Sequence, residues 1–214
     1  MLPHMLPHDR LTPPLDFGGW VSSIRPTLAP PVGNKLLFGG GLKVMVVGGP
    51  NQRADYHIED GEEVFLQLEG DMVLETMERG AARAMRIPEG HIFCLPSRVP
   101  HSPQRLAGTV GLVIERVRAP TSLDGLRWYA RDGSRRILYE EWFHCTDLGT
   151  QLKPVITRFM ESECFRTGIP DRCACAGCSA GYGPVCAGRL DRHGRVPGPT
   201  PRPWPHAAPQ CPLP

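Results

Sequence analysis

The feature that most limits what this chain can fold into is a series of short β-rich runs between Asn34 and Arg118. They are Leu42 to Val47, Glu63 to Leu68, Met72 to Thr76, Ile92 to Leu95 and Val110 to Val117, set apart by Gly, Pro and acidic turn residues. Strands this short cannot bury an apolar face one at a time, and at this regular spacing they satisfy one another by closing into a barrel or a two-sheet sandwich. The expected fold is mainly β. Trp128 to Tyr139 can add an edge strand or two, and Leu152 to Cys164 has the apolar spacing of an amphipathic helix that would close one side of the barrel.

Polar residues interrupt this frame in a pattern that points to chemistry. Successive side chains of a strand alternate faces, so residues four apart point the same way. Arg53 and His57 therefore share a face, as do His101 and Arg105 if their backbone stays extended, and each segment sets one cation beside one imidazole. Glu63 opens an apolar strand, while Glu59, Asp60 and Glu62 read as a solvated acidic turn around Gly61. A lone histidine in a strand is usually a hydrogen-bonded core or surface residue. His57 and His101 together with Glu63 are different: two imidazoles and one carboxylate occupy one face of a metal and leave positions open, the pattern of mononuclear non-haem Fe(II) oxygenases. On the strand Val110 to Val117, Glu115 shares a face with Val113 and Val117, and the local pattern leaves open whether it points inward or lies on an exposed edge. Arg98 reads as a turn cation, His91 as a turn residue, and Phe65 and Phe93 as core.

The stretch Arg53-Ala-Asp-Tyr-His57-Ile-Glu59-Asp-Gly61-Glu-Glu63 and the stretch Gly90-His-Ile-Phe-Cys-Leu-Pro96-Ser-Arg98-Val-Pro-His101-Ser-Pro-Gln-Arg105 resemble the paired motifs of the cupin superfamily. Glu63 to Gly70 and Gly90 to Pro96 to His101 keep the superfamily's intervals. Glu59 stands where the first motif usually has a second histidine, which limits the ligands to three, and Arg98 replaces the usual glycine of the second motif. Val113-Ile-Glu115-Arg116, Leu123-Asp-Gly-Leu-Arg127 and Asp147-Leu-Gly-Thr-Gln-Leu152 narrow the resemblance to the 3-hydroxyanthranilate 3,4-dioxygenase family, up to about Pro170. The resemblance implies a single cupin domain over 34–170, a double-stranded β-helix or jelly-roll barrel with short helical additions. It implies Fe(II) on His57, Glu63 and His101, with 3-hydroxyanthranilate and O2 as substrates. Glu63, Arg105 and Glu115 would then meet the substrate, with Glu115 either orienting Arg105 or hydrogen-bonding the substrate itself. Arg53 would lie near dioxygen, and Arg53 and Glu63 would be the catalytic pair. The product implied is 2-amino-3-carboxymuconate semialdehyde, which closes without an enzyme to quinolinate, a precursor of NAD.

Composition sets the outer bounds. With 214 residues, 41% hydrophobic and a net charge of +2, the chain can bury one good core and offers no basic stripe for nucleic acid. No apolar run approaches the roughly 20 residues that span a bilayer. The Pro-rich start lacks the charged and apolar regions of a signal peptide, so a cytoplasmic monomer is the expectation. Cys94, Cys145 and Cys164 read as reduced apolar fillers.

The two ends differ from the middle. Residues 1–33 form a Pro-rich arm in which Trp20-Val-Ser-Ser-Ile24 is the stretch able to pack. Residues 171–214 contain no Ile, Phe, Met or Lys, so a disordered tail is expected, where animal members of the family continue into a second, non-catalytic cupin domain. Cys173, Cys175, Cys178 and Cys186 offer thiolates to zinc, but a single CxxC pair makes an oxidisable tail without metal the expected state. Two other functions are compatible with the fold: a catalytically impaired, truncated cupin acting as a binding protein, and a different cupin enzyme such as a thiol dioxygenase. The latter would normally use three histidines, which the Glu63 ligand speaks against.

Overall fold

The computed structural model describes residues 13–30 and 33–170. The chain divides into two compact units, Met1–Ala176 and Gly177–Pro214. The second unit, the expected disorder of the tail and its zinc-binding alternative all lie outside the described residues.

The strands are β1 (Gly33–Phe38), β2 (Leu42–Gly48), β3 (Tyr56–Ile58), β4 (Glu63–Glu69), β5 (Met72–Glu78), β6 (Ala81–Ile87), β7 (Ile92–Leu95), β8 (His101–Arg105), β9 (Val110–Arg116), β10 (Asp124–Tyr129) and β11 (Ile137–Phe143). They form two sheets, in the orders β1-β2-β9-β4-β7 and β11-β10-β3-β8-β5-β6. Every pairing among them is antiparallel, and the partners follow a rule: β2 with β9, β3 with β8, β4 with β7, β5 with β6. The chain thus runs out from β2 to β5, turns, and returns alongside itself, and the resulting ribbon is wound so that its pairs fall alternately in one sheet and the other. That is the jelly roll, or double-stranded β-helix. β1 extends one sheet, and β10 with β11 extends the other.

Alternation along each strand builds the interior. In β4, Glu63, Phe65 and Gln67 are buried while Val64, Leu66 and Leu68 are only partly so. Met45, Phe65, Met72, Leu74, Ile87, Leu95 and Val113 fill the space between the sheets. Among the described residues three α-helices cover the outside: α1 (Phe17–Ile24), α2 (Leu148–Glu161) and α3 (Glu163–Thr167). Val21 of α1 and the following Leu28 pack on Val46 and Val110, so the part of the N-terminal arm described here is joined to the barrel's apolar packing. α2 and α3 pack on β10 and β11 through Leu126, Trp128, Leu138, Tyr139, Val155 and Phe159. The Trp128 and Phe159 rings stack with centroids 4.2 Å apart and planes 17° from parallel, and aromatic pairs of this kind add about 0.5 to 1.5 kcal/mol beyond the area buried.

The five strands expected from the sequence are present; the region Trp128 to Tyr139 supplies the end of β10 and the start of β11, and Leu152 to Cys164 lies in α2 and the start of α3. β1, β3, β6 and β8 were not expected. β3 has only three residues, β6 is an edge strand rich in Ala and Arg, and β8 reads His-Ser-Pro-Gln-Arg, which no apolar pattern would mark as a strand. Cys145 and Cys164 are buried as expected of fillers, whereas Cys94 is exposed.

Candidate metal centre

The unexpected strands carry the histidines. His57 on β3 and His101 on β8 are cross-strand neighbours in one sheet, with ring centroids 5.3 Å apart, and Glu63 enters from β4 in the other sheet. All three are buried. Glu63 Oε1 lies 3.0 Å from His101 Nε2 and 3.6 Å from His57 Nδ1.

The outer ring nitrogens decide what these inner atoms can do. His101 Nδ1 is 3.0 Å from the Val99 carbonyl oxygen, which can only accept, so that nitrogen carries the proton and Nε2 of the neutral ring is a bare lone pair. His57 Nε2 lies 2.8 Å from Asp124 Oδ2, which likewise takes the N–H and leaves Nδ1 bare. Glu63 Oε1 is buried without a hydrogen-bond partner. Three electron pairs therefore converge with no proton among them, which is costly unless a cation lies between. The three residues fit a metal ion by the chemistry of their donors, and Asp124 and Val99 orient them as outer partners of metal-bound imidazoles do. Burial opposes the charge on Glu63, and positive charge at the imidazoles, His101 foremost, outweighs it and holds its pKa below the ordinary range; a cation among the three would supply that charge without a proton.

Arg53 and Arg105 both line the cavity in front of Glu63, together with Asn51, Phe65 and Pro103. Their environments differ. Arg53 Nε lies 3.1 Å from each oxygen of Asp55, and its Nη2 also contacts that carboxylate, so its charge is matched locally. Arg105 is 4% exposed and has no carboxylate within ion-pairing distance among the described residues. Its Nη1 donates to Gln67 Oε1 at 3.2 Å, and its backbone N–H donates to Asn51 Oδ1 at 2.9 Å. Burial, and then the charge of Arg53, lower its pKa to about 10, which still leaves it charged at neutral pH.

Behind Glu63 lies a second cluster that sequence reasoning largely missed. Glu59 is not part of a solvated turn: it is 3% exposed and points inward with Glu115 and Asp124. Arg118 Nη1 lies 3.3 Å from Glu59 Oε2 and also contacts Asp124, and its Nη2 lies 3.3 Å from Glu115 Oε1. Lys43 Nζ is 3.4 Å from the same Glu115 oxygen. Burial first, and then the neighbouring Glu63 and Glu115, push the Glu59 pKa up to about 9. Glu59 reaches this place because the backbone tightens after it. Arg98 adopts a left-handed φ of 63°, donates its N–H to the Glu59 carbonyl at 2.8 Å and pairs with Asp60 at 2.7 Å. Arg98 thus takes the conformation that glycine adopts freely.

Glu115 points inward, opposite Glu63 in the β4–β9 register. Of the two roles open to it, orienting Arg105 has no contact to support it, since Arg105 is held by Gln67 and Glu115 by Lys43 and Arg118. Glu115 Oε2 is buried and without a partner. Asp124, Asn51, Gln67, Lys43 and Arg118 were not singled out from the sequence. Lys43, Gln67 and Asp124 lay in stretches already noted, but nothing local marks them as the partners of Glu115, Arg105 and His57.

Comparison with known proteins follows the same lines. A sequence profile of 3-hydroxyanthranilic acid dioxygenase matches residues 10–160. The 3-hydroxyanthranilate 3,4-dioxygenase of Rattus norvegicus is 60% identical over 152 residues, which cover 71% of this chain and 53% of the rat protein. The Homo sapiens enzyme of the same name is 59% identical over 160 residues, 74% of this chain and 56% of its own. The chain thus spans about half the length of these relatives. Among solved structures, a cupin-2 domain containing protein from Shewanella frigidimarina overlays with a TM-score of 0.40 at 15% identity, over 48% of this chain and 94% of that one. The profile match takes in the strands that carry His57, Glu63 and His101, and the chain belongs to the 3-hydroxyanthranilic acid dioxygenase family.

Proposed function

We propose that this chain is a non-haem Fe(II) ring-cleaving dioxygenase that converts 3-hydroxyanthranilate and O2 to 2-amino-3-carboxymuconate semialdehyde. The observation that carries this is the convergence of the His57, Glu63 and His101 lone pairs in front of a buried guanidinium without a carboxylate partner. The product would cyclise to quinolinate, which places the reaction upstream of NAD. A cytoplasmic monomer is the proposed state; no helix among the described residues is long and apolar enough to cross a membrane.

Fe(II) bound by His57, Glu63 and His101 would supply open coordination positions and the electrons that let dioxygen react with an aromatic ring. The chain's own residues do the rest. Arg105 binds the substrate carboxylate, for which a guanidinium fork is the matching donor. Glu115 Oε2, buried and unpartnered, accepts a hydrogen bond from the substrate's hydroxyl or amine. Glu63, a ligand and a neighbour of the amine, can take a proton as the substrate settles. Arg53, fixed on Asp55, faces the cavity beside His57 and stabilises negative charge that develops on oxygen. Met45, Val47, Phe65 and Val113 line the same cavity and keep water from the reacting ring. Cleavage of the bond between ring carbons 3 and 4 takes up both oxygen atoms, so no further reductant is needed.

The test is anaerobic loading with Fe(II), followed by oxygen uptake with 3-hydroxyanthranilate, with cysteine and with no substrate. Uptake with 3-hydroxyanthranilate alone, accompanied by the absorbance of the semialdehyde, is the expected result. Iron and substrate bound without oxygen consumption would make the chain a binding protein, and uptake with cysteine would make it a thiol dioxygenase.

A further inference from the structure

The strands β4 and β8 face each other across the cavity and meet twice. At one end Glu63 meets His101, and four residues further along each strand Gln67 meets Arg105. Because residues four apart share a face and stand about 13 Å apart along a strand, the second meeting belongs to the same inward row as the metal ligands.

Gln67 is 1% exposed, yet the cavity is lined by Arg105 and not by Gln67. Both ends of its amide are engaged. Oε1 accepts from Arg105 Nη1, and Nε2 donates to the Glu69 carbonyl at 3.1 Å, which fixes the amide orientation so that the oxygen faces the guanidinium. The pair lies over Gly111 of β9. A Cβ at Gly111 would come within 2.7 Å of Gln67 Oε1 and 2.9 Å of Arg105 Nη1, so a side chain here would push the two ends aside.

The chemistry of the acceptor is the informative part. A carboxylate in place of the amide would hold a buried guanidinium more strongly, as Asp55 holds Arg53. It would also cancel the charge that a ligand must meet. An amide oxygen orients the fork through one hydrogen bond and leaves the positive charge and the remaining N–H donors for an incoming anion.

We propose that Gln67, seated over Gly111, is a positioning residue that holds Arg105 oriented and uncompensated, and thereby sets the preference of this cavity for a ligand that carries a carboxylate. The proposal rests on the assignment of Arg105 to the substrate carboxylate.

The experiment measures anaerobic binding of two probes to the Fe(II) protein by absorbance titration: 3-hydroxyanthranilate, and 2-aminophenol, which has the same hydroxyl and amine but no carboxylate. Gln67→Glu keeps the shape and supplies a carboxylate to Arg105. It should weaken 3-hydroxyanthranilate about ten-fold or more and leave 2-aminophenol within about two-fold. Gly111→Ala, which displaces the pair sterically, should give the same ligand-selective loss and serves if Gln67→Glu does not fold, as judged by iron stoichiometry and thermal unfolding. Equal losses for both probes would reduce Gln67 to a structural residue, and unchanged 3-hydroxyanthranilate binding in a folded variant would overturn the proposal outright. If the wild-type protein binds 3-hydroxyanthranilate no better than 2-aminophenol, the Arg105 assignment itself fails and the proposal falls with it.

Discussion

The two sides of Glu63 are built on opposite principles. Behind it, Glu59, Glu115 and Asp124 are packed around Arg118 and Lys43, and with Glu59 protonated the remaining two carboxylates match the two cations. In front of it, Arg105 is buried with only an amide and no carboxylate, and three ligand lone pairs point at one place. Burying an unmatched charge is costly, and proteins retain such groups where a ligand completes them. In the rear the charges are matched within the protein, although Glu59, Glu115 Oε2 and Arg118 Nε keep buried atoms without hydrogen-bond partners there; the front is the side we assign to a metal ion and an anion. Position in the barrel does not cause the difference, since β2 and β9 contribute to both sides: Lys43 and Glu115 to the rear, Met45, Val47 and Val113 to the front.

The sharpest way to break this comparison is to remove a ligand. His101→Ala should abolish tight iron binding while the barrel stays folded, and metal analysis after anaerobic loading checks it. Full stoichiometric iron in that variant would remove the front from consideration as a metal site. The rear should respond in stability instead. Arg118→Leu leaves Glu115 and Asp124 facing each other without their shared cation, and loss of one partner from a buried ionic cluster typically costs about 3 to 5 kcal/mol. Urea unfolding of the metal-free proteins reads this directly, and a change below about 1 kcal/mol would mean that solvent or Lys43 compensates.

The sequence disclosed the front better than the rear for a physical reason. Metal ligands must be particular residue types at particular intervals, so His57, Glu63 and His101 stand out even though β3 and β8 have no strand-like apolar pattern. A charge cluster needs only that its members meet. Asp124 lies 67 positions from His57, and they touch because β10 pairs with β3, placing Leu126 opposite His57. Glu59 was misread because a run of acidic residues around a glycine normally marks a solvated turn. Here the Arg98 turn from the second motif caps that loop and tucks Glu59 inside. Strands with alternating or continuous apolar residues, such as β2, β4, β5 and β9, were legible to within one or two residues. Edge strand β6, rich in Ala and Arg, was not.

Three smaller effects sharpen the contrast between the arginines and test the support of His57. Arg105→Ala should keep iron and weaken 3-hydroxyanthranilate by about 1.5 to 3 kcal/mol, the range for a lost hydrogen bond to a charged group. Arg53→Ala, which removes a cation already matched by Asp55, should leave substrate affinity nearly unchanged and slow turnover. An unchanged turnover number at saturating substrate and oxygen would end its oxygen-side assignment. Asp124→Asn preserves shape but removes the anion that takes the His57 N–H, and outer partners of this kind typically contribute 10- to 100-fold in metal affinity. Competition with a chelator measures it, and an affinity within two-fold of wild type would mean that the N–H···O contact does not set the His57 ring.

The smallest effect is predicted for the end of the chain. All six proposed site residues, both cations of the rear cluster and the Gln67–Gly111 support fall between Lys43 and Asp124, and the described helices close the barrel by Thr167. Residues 171–214 supply none of these groups, so a protein ending at Pro170 should bind iron with the same stoichiometry and bind 3-hydroxyanthranilate within about two-fold of the full chain. The competing possibility is that Cys173, Cys175, Cys178 and Cys186 gather a zinc ion and form part of the working protein. Metal analysis separates the two. One zinc per chain in addition to iron, lost on shortening together with substrate binding, would show that the front of Glu63 is not complete within the barrel and that the contrast between its two sides depends on the tail.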